Sequence, residues 1–160
     1  MKKQILENLP VDACATGAAL LENVNEADLC ALFFKHIDFC LAKNYPDIST
    51  IQQVPGHLEA GIVISRKLVR TNPEQLAVLG KSDVEVKIDG YTVTRLWVKD
   101  DSQLYVEAKD NARVVIDALD NAQVFISTSG NARVVVNLFE GAVERGATRT
   151  FIKRRKTYDL

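Results

Sequence analysis

Residues 101–140 repeat every ten positions, and no other feature restricts the possible folds of this chain as strongly. In register the four decads read DSQLYVEAKD, NARVVIDALD, NAQVFISTSG and NARVVVNLFE. A fifth opens with Gly141-Ala142 and then loses the pattern. A fixed period makes each block one structural unit that buries its apolar face by stacking on its copies. Alternate positions within the blocks are small or branched and apolar: Ala112, Val114, Ile116 and Ala118, then Ala122, Val124 and Ile126, then Ala132, Val134, Val136 and Leu138. A period of two is the mark of a strand with one buried face. Because ten is even, successive blocks keep that face in phase. The block ends carry Asp110-Asn111, Asp120-Asn121 and Gly130-Asn131. These residue types tolerate left-handed backbone and cap exposed backbone groups.

Two architectures fit a ten-residue strand and turn: an antiparallel meander that closes into a sandwich or barrel, and a β-solenoid with two strands in each coil of about 20 residues. The outward positions favour the solenoid, because like matches like at twenty residues and less well at ten. Gln103 and Tyr105 match Gln123 and Phe125, while Arg113, Val115 and Asp117 match Arg133, Val135 and Asn137. In a two-sided coil such pairs fall on the same sheet, the aromatic residues on one and the valines on the other.

The unit N-A-x-V-x-[VI]-x-A-x-[DG], carried best by Asn111–Asp120 and Asn121–Gly130, resembles the alanine-and-asparagine decapeptide repeats of bacterial and bacteriophage β-solenoid proteins. The resemblance covers about the final third of the chain. Thr128 and Leu138 replace the second alanine, and Glu140-Gly141 replaces the usual corner. It implies a scaffold and a bacterial or bacteriophage setting, and it transfers no site residues.

The first quarter reads as helical. Val11 to Glu22 forms a short helix rich in small residues. Asn25 offers an N-cap to a second, in which Leu29, Leu32, Phe33, His36, Ile37, Cys40 and Leu41 make one apolar stripe. Pro46 ends that helix. Ser49 to Val54 is a helical turn and Ala60 to Ser65 a buried strand. Asn72-Pro73 opens a turn that leads into a short helical piece up to Leu79-Gly80. Val84 to Ile88 and Tyr91 to Val98 are strands about an Asp89-Gly90 turn. The expected fold class is α+β. A small helical cap covers residues 1–58, and residues 59–160 form a strand-rich joint and a short solenoid that ends in a basic tail.

Composition excludes several classes of function. Over 160 residues the formal net charge is -1, so the whole molecule has no electrostatic reason to seek nucleic acid or an anionic membrane. No apolar run approaches the ~18 residues needed to span a bilayer, and no membrane partner is expected. The lysines that follow the first residue precede no apolar core of a secretory signal. Three cysteines, Cys14, Cys30 and Cys40, are an odd number and suggest a reducing compartment. The expected location is therefore the cytoplasm of a bacterial host, or a virion.

Cys14, Cys30, Cys40, His36 and His57 could be read as a metal cluster, but no C-x-x-C pair accompanies them. They are better read as buried small hydrophobes. Cys40 with His57 could form a nucleophile and base, yet Cys40 lies on an apolar stripe, where a thiol is inert. Asp38, Asp47, Glu59, Asp110 and Asp120 are scattered carboxylates with no opposed pair. The corner acids and asparagines suit turns better than calcium, since calcium-binding repeats are far richer in glycine and aspartate. Phosphate loops and nucleophile elbows are absent. Neither a catalytic residue, a metal nor a cofactor is expected.

Two surfaces remain. The apolar outward residues Tyr105, Val115, Phe125 and Val135, flanked by Leu119 and Phe139, are more than a monomer should show to water. They predict a partner, either a second copy or another protein, with the helical cap over one sheet. The second surface is the basic C-terminus: Arg145, Arg149, Lys153, Arg154, Arg155 and Lys156, with Phe151 and Tyr158 beside the densest run. It is read first as a solvated end that caps the solenoid. The alternative is a nucleic-acid site built from Arg149, Lys153, Arg154, Arg155 and Lys156. The expected role is a non-enzymatic structural or interaction module, such as a virion accessory or a host-interaction factor.

Overall fold

The decads form parallel strands that alternate between two sheets, so each strand stacks on the one two blocks before it. The strands are β1 (Ile62–Ile64), β2 (Lys67–Thr71), β3 (Gln75–Leu79), β4 (Asp83–Ile88), β5 (Val93–Val98), β6 (Gln103–Ala108), β7 (Arg113–Ala118), β8 (Gln123–Thr128), β9 (Arg133–Phe139), β10 (Val143–Arg145) and β11 (Thr150–Arg155). One sheet has six strands in the order β1-β3-β5-β7-β9-β11, and the other has five in the order β10-β8-β6-β4-β2. The computed structural model describes residues 2–11, 13, 15–146, 150–156 and 158. Two compact units divide the chain, one reaching to Ile62 and the other spanning Val63–Tyr158.

Register settles the choice between the two candidate architectures. Gln103 lies beside Gln123, Tyr105 beside Phe125, and Val115 beside Val135, each twenty residues apart and each in a parallel pair. A meander needs antiparallel neighbours. The second unit is therefore a β-solenoid, and the whole is α+β. The inward residues Val114, Ile116, Val124, Val134 and Val136 are buried, as are Ala112, Ala122 and Ala132 at the corners. Parallel strands buried along one face bring their apolar columns into continuous contact, and this burial is the main source of stability.

The corners explain the Asp/Gly-Asn pair. Asp100, Asp110, Asp120 and Glu140 have φ of 63°, 56°, 56° and 54°, and Gly90 and Gly130 have 62° and 64°. The residue before the asparagine, not the asparagine itself, takes the left-handed turn. Its carboxylate caps the coil below: Asp100 Oδ2 accepts from Gly80 N–H at 2.7 Å, and Asp110 Oδ2 from Gly90 N–H at 3.1 Å. The following residue adds a side-chain rung, with Asn121 Nδ2 donating to Asp101 Oδ1 at 3.2 Å.

The solenoid begins well before the decads are visible. Residues 75–79 were expected to be helical, but Gln75–Leu79 is a strand that pairs with β5 in the same twenty-residue register. Leu76 and Val78 already fill the inner columns. The strand-rich joint is thus part of the solenoid. The first coil is shorter, with Lys67 beside Asp83, and so is the last, with Thr150 beside Val134. Those sixteen-residue coils break the decad count and hide both ends from a search by period. The inner columns also finish in polar side chains. Arg70 stacks against Val86 at one end, and Glu144 against Val124 and Arg154 against Leu138 at the other. The basic C-terminus is accordingly not a tail, since residues 150–155 form β11.

In the first unit the helices are α1 (Lys2–Glu7), α2 (Ala15–Asn23), α3 (Leu29–Lys35), α4 (Ile37–Lys43) and α5 (Ile48–Gln52), with a 3-10 turn at Glu26–Asp28. The single helix expected from the apolar stripe is broken at His36 (φ −117°, ψ 28°). Both halves keep the stripe: Leu29, Cys30 and Phe33 are buried on α3, and Ile37, Cys40 and Leu41 on α4. Asn25 has extended backbone at the cap position, yet its side chain makes no capping bond. Asn44 in the left-handed conformation ends α4 just before Pro46. Asp47 caps α5, accepting from Thr50 N–H at 3.1 Å.

Candidate functional site

The apolar outward residues do not form one patch. Tyr105 and Phe125 stand on the five-stranded sheet, while Val115 and Val135 stand on the six-stranded one. The two rings lie nearly parallel, 4.7 Å between centroids and 9° between planes. Parallel register puts equivalent side chains directly above one another, so aromatic residues twenty apart stack without any adjustment. Tyr105 is 38% exposed and Phe125 is half-buried. The Tyr105 hydroxyl donates to Gln103 Oε1 at 2.8 Å, which holds the ring upright. The column continues to Val69 and Glu85 on one side and to Arg145 on the other.

Phe139 was expected to belong to this surface and does not. It is buried at 5% exposure. The Tyr158 ring meets it edge-on at 4.7 Å, and the Arg155 guanidinium lies 5.9 Å from its centroid. Arg155 at the end of β11 and Tyr158 beyond it therefore cover Phe139. Leu119 is buried as well.

The two sheets differ in charge. The outward face of the five-stranded sheet carries Lys67, Lys87 and Arg145 against Asp83, Glu85 and Glu107, which is balanced. Most of these pair locally: Lys67 with Asp83 at 3.0 Å, and Lys87 with Glu85 at 3.2 Å. The outward face of the six-stranded sheet carries Arg95, Arg113, Arg133, Lys153 and Arg155. Among its described strand residues the one acid is Asp117, which is buried and holds Arg95 at 3.6 Å. Of the basic residues expected to form a nucleic-acid site, Lys153 and Arg155 share this face, while Arg154 falls on the inner column. Lys156 follows β11, and Arg149 lies outside the described residues.

One corner gathers buried charge. Lys99 is 6% exposed and its ammonium bonds the Asp120 carboxylate. Burial opposes ionisation of Asp120, but the hydrogen bonds from Lys99 and Glu140 prevail and hold its pKa below the usual value. Glu140 is pushed the other way by its bond to Asp120. Asp100, on the coil below, is raised by desolvation. This is a ladder of corner caps, with a lysine to neutralise it.

The first unit holds an apolar cavity of about 320 Å³, lined by Ile5, Leu21, Phe33, Phe39, Ile51 and neighbours. Its polar edges are already used or inert. The Tyr45 hydroxyl donates to Ile5 O at 2.5 Å. Burial pushes the Cys40 thiol up to about 12 and also raises Cys30, so neither is a thiolate at neutral pH. His57 Nδ1 lies 2.9 Å from Val54 O. Cys14 lies outside the described residues. Among the described residues no three His, Cys, Asp or Glu side chains gather closely enough to hold a metal ion. No described helix is long and apolar enough to cross a membrane. Comparison with protein-family models, curated proteins and solved structures finds no match to this chain.

Proposed function

We propose that the protein is a non-enzymatic interaction module, a rigid β-solenoid that associates with a second copy of itself through the Tyr105–Phe125 face. The observation that carries this reading is the stacked pair of rings on a charge-balanced sheet. Two aromatic side chains that already stack on each other lose little further side-chain entropy when a partner covers them, and aromatic anchors dominate interface energies. Balanced charge lets the face meet its own copy without repulsion, whereas five cations on the other sheet oppose the equivalent contact there. The resemblance of the decads suits a scaffold of this kind, serving as a virion accessory or as a factor that meets a host protein.

Sedimentation across a concentration series tests the proposal. The native chain is expected to associate, and Tyr105→Arg is expected to weaken association by roughly 30-fold or more, the effect of losing a contact worth about 2 kcal/mol. The thermal melt of the variant should stay cooperative and fall by no more than the lost ring stack accounts for, about 1 kcal/mol. A native protein that stays monomeric at high micromolar concentration would sink the self-association reading.

A further inference from the structure

We infer that the outward face of the six-stranded sheet binds single-stranded nucleic acid, with the polyanion running along the stacking axis across β5, β7, β9 and β11. The near-neutral charge of the whole chain conceals a separation. Residues 1–62 carry eight acids against four bases, while residues 63–158 carry sixteen bases against twelve acids. Within the solenoid the excess is concentrated on one face. Each of these four consecutive strands contributes an outward cation there: Arg95, Arg113, Arg133 and Lys153. Neighbouring strands lie about 4.8 Å apart, so across the sheet the four span three steps, or roughly 14 Å, with Arg95 two residues and Lys153 four residues further along the strands than the Arg113–Arg133 pair.

Arg113 and Arg133 stand directly side by side in register, and both are exposed. Like charges placed opposite each other on a sheet repel unless an anion lies between them. Arg113 is aimed by a hydrogen bond from its guanidinium to Asn131 O at 3.0 Å. Arg95 is held by Asp117 and lies 4.7 Å from the centroid of the Trp97 ring. These contacts fix the guanidinium groups before any ligand arrives.

A guanidinium pairs with carboxylate as well as with phosphate, so what favours a nucleic-acid strand over an acidic protein partner is the exposed rings beside the cations. A guanidinium fork matches a phosphate's oxygens in two parallel bonds. Arg113 and Arg133 form an adjacent pair from which Arg95 and Lys153 are offset along the strands, and a flexible single-stranded backbone can bend to reach cations spread over a face in this way. Between the cations lie Val115 and Val135, and the same column ends in Phe151, which is 67% exposed. Tyr91, in the turn that leads into β5, is 85% exposed. Exposed rings beside a basic track stack on unpaired bases. The residues that form this face belong to β-strands and so offer no recognition helix to a duplex groove, and the strand they fit is single.

The test uses the full chain and a fluorescent oligothymidylate, with binding read by anisotropy over a range of salt. Binding is expected at low salt and should weaken linearly on a log-log plot. Arg113→Gln with Arg133→Gln should weaken it at least ten-fold and flatten the slope by roughly 0.7 for each phosphate contact removed. Arg154→Gln, off this face, should leave it within two-fold. Tyr105→Ala should also leave it within two-fold, which separates this face from the one proposed for self-association. Any one of three outcomes overturns the inference: no binding at low salt, equal or tighter binding of polyglutamate, or tighter binding of the matching duplex. The native chain decides each of these even if a variant fails to fold.

Discussion

At the scale of single residues, the corners show how little freedom the coil allows. Gly130 has φ of 64°, and a Cβ added there would meet the Asp110 backbone at 3.0 to 3.1 Å. Gly90 has nearly the same angle, 62°, but an added Cβ would find nothing within 4 Å. A left-handed angle costs a non-glycine residue about 1–2 kcal/mol, and at Gly130 the clash adds to it. Gly130→Ala should therefore lower the urea midpoint clearly more than Gly90→Ala, with a difference of about 1 kcal/mol or above. Equal effects would show that the coils are looser at this corner than the 2.6 Å bond from Asn131 N–H to Asp110 O indicates. The Asp/Gly alternation was plain in the sequence. Which of the two residues at each corner turns left-handed was not, because Asn and Asp are both able to.

At the scale of elements, the strands were legible and the helices less so. A period of two survives any tertiary context that buries one face, and the decads preserve it four times over. The stripe over residues 29–41 was equally real, but the same seven apolar positions fit one helix or two. A periodic count cannot place the break, which falls at His36. The strand Gln75–Leu79 was misread because its five residues hold too few alternations to outweigh a preceding Asn-Pro turn. Helix α5 offers a direct test of a cap. Asp47 accepts from Ser49 Oγ at 2.5 Å and Thr50 Oγ1 at 2.6 Å. These bonds, led by the one from Ser49, lower its pKa to about 2. A depressed carboxylate stabilises the fold above its unfolded value, near 3.9, and loses that contribution as pH falls towards the folded value. Asp47→Ala should cost about 1 kcal/mol at pH 7, and the difference from the native chain should shrink as pH falls from about 4 to 2. A gap that is constant over this range would remove the charged cap from the account.

At the scale of the whole molecule, the unit of construction is twenty residues, not ten. Deleting residues 101–120 removes one full coil and restacks the Gly90 corner on the Gly130 corner and the Asp100 corner on the Glu140 corner, with every later strand still on its own sheet. Deleting residues 111–120 keeps the inward face in phase but moves every later strand to the opposite sheet. Tyr105 would lose Phe125 and stand beside Val135 in its place. Thermal melts followed by circular dichroism should show the twenty-residue deletion retaining a cooperative transition. The ten-residue deletion should melt lower by ~4–8 °C or more, the equivalent of about 2 kcal/mol in a chain of this size. If the two deletions melt alike, successive coils do not require like-on-like stacking.

The amino-acid sequence alone determined the period and the buried face and favoured the solenoid over a meander, because those rest on spacings of two and twenty that are local to the repeat. It also separated Tyr105 and Phe125 from Val115 and Val135. Only the tertiary structure decided where the solenoid begins and ends, since the coils of sixteen residues at either end fall outside the count. The tertiary structure likewise buried Phe139 beneath Tyr158, turned the basic terminus into a strand, and set Arg113 beside Arg133 in a basic face. Residues twenty apart share a face only once the coil has closed, and charge that cancels over a chain need not cancel over a surface.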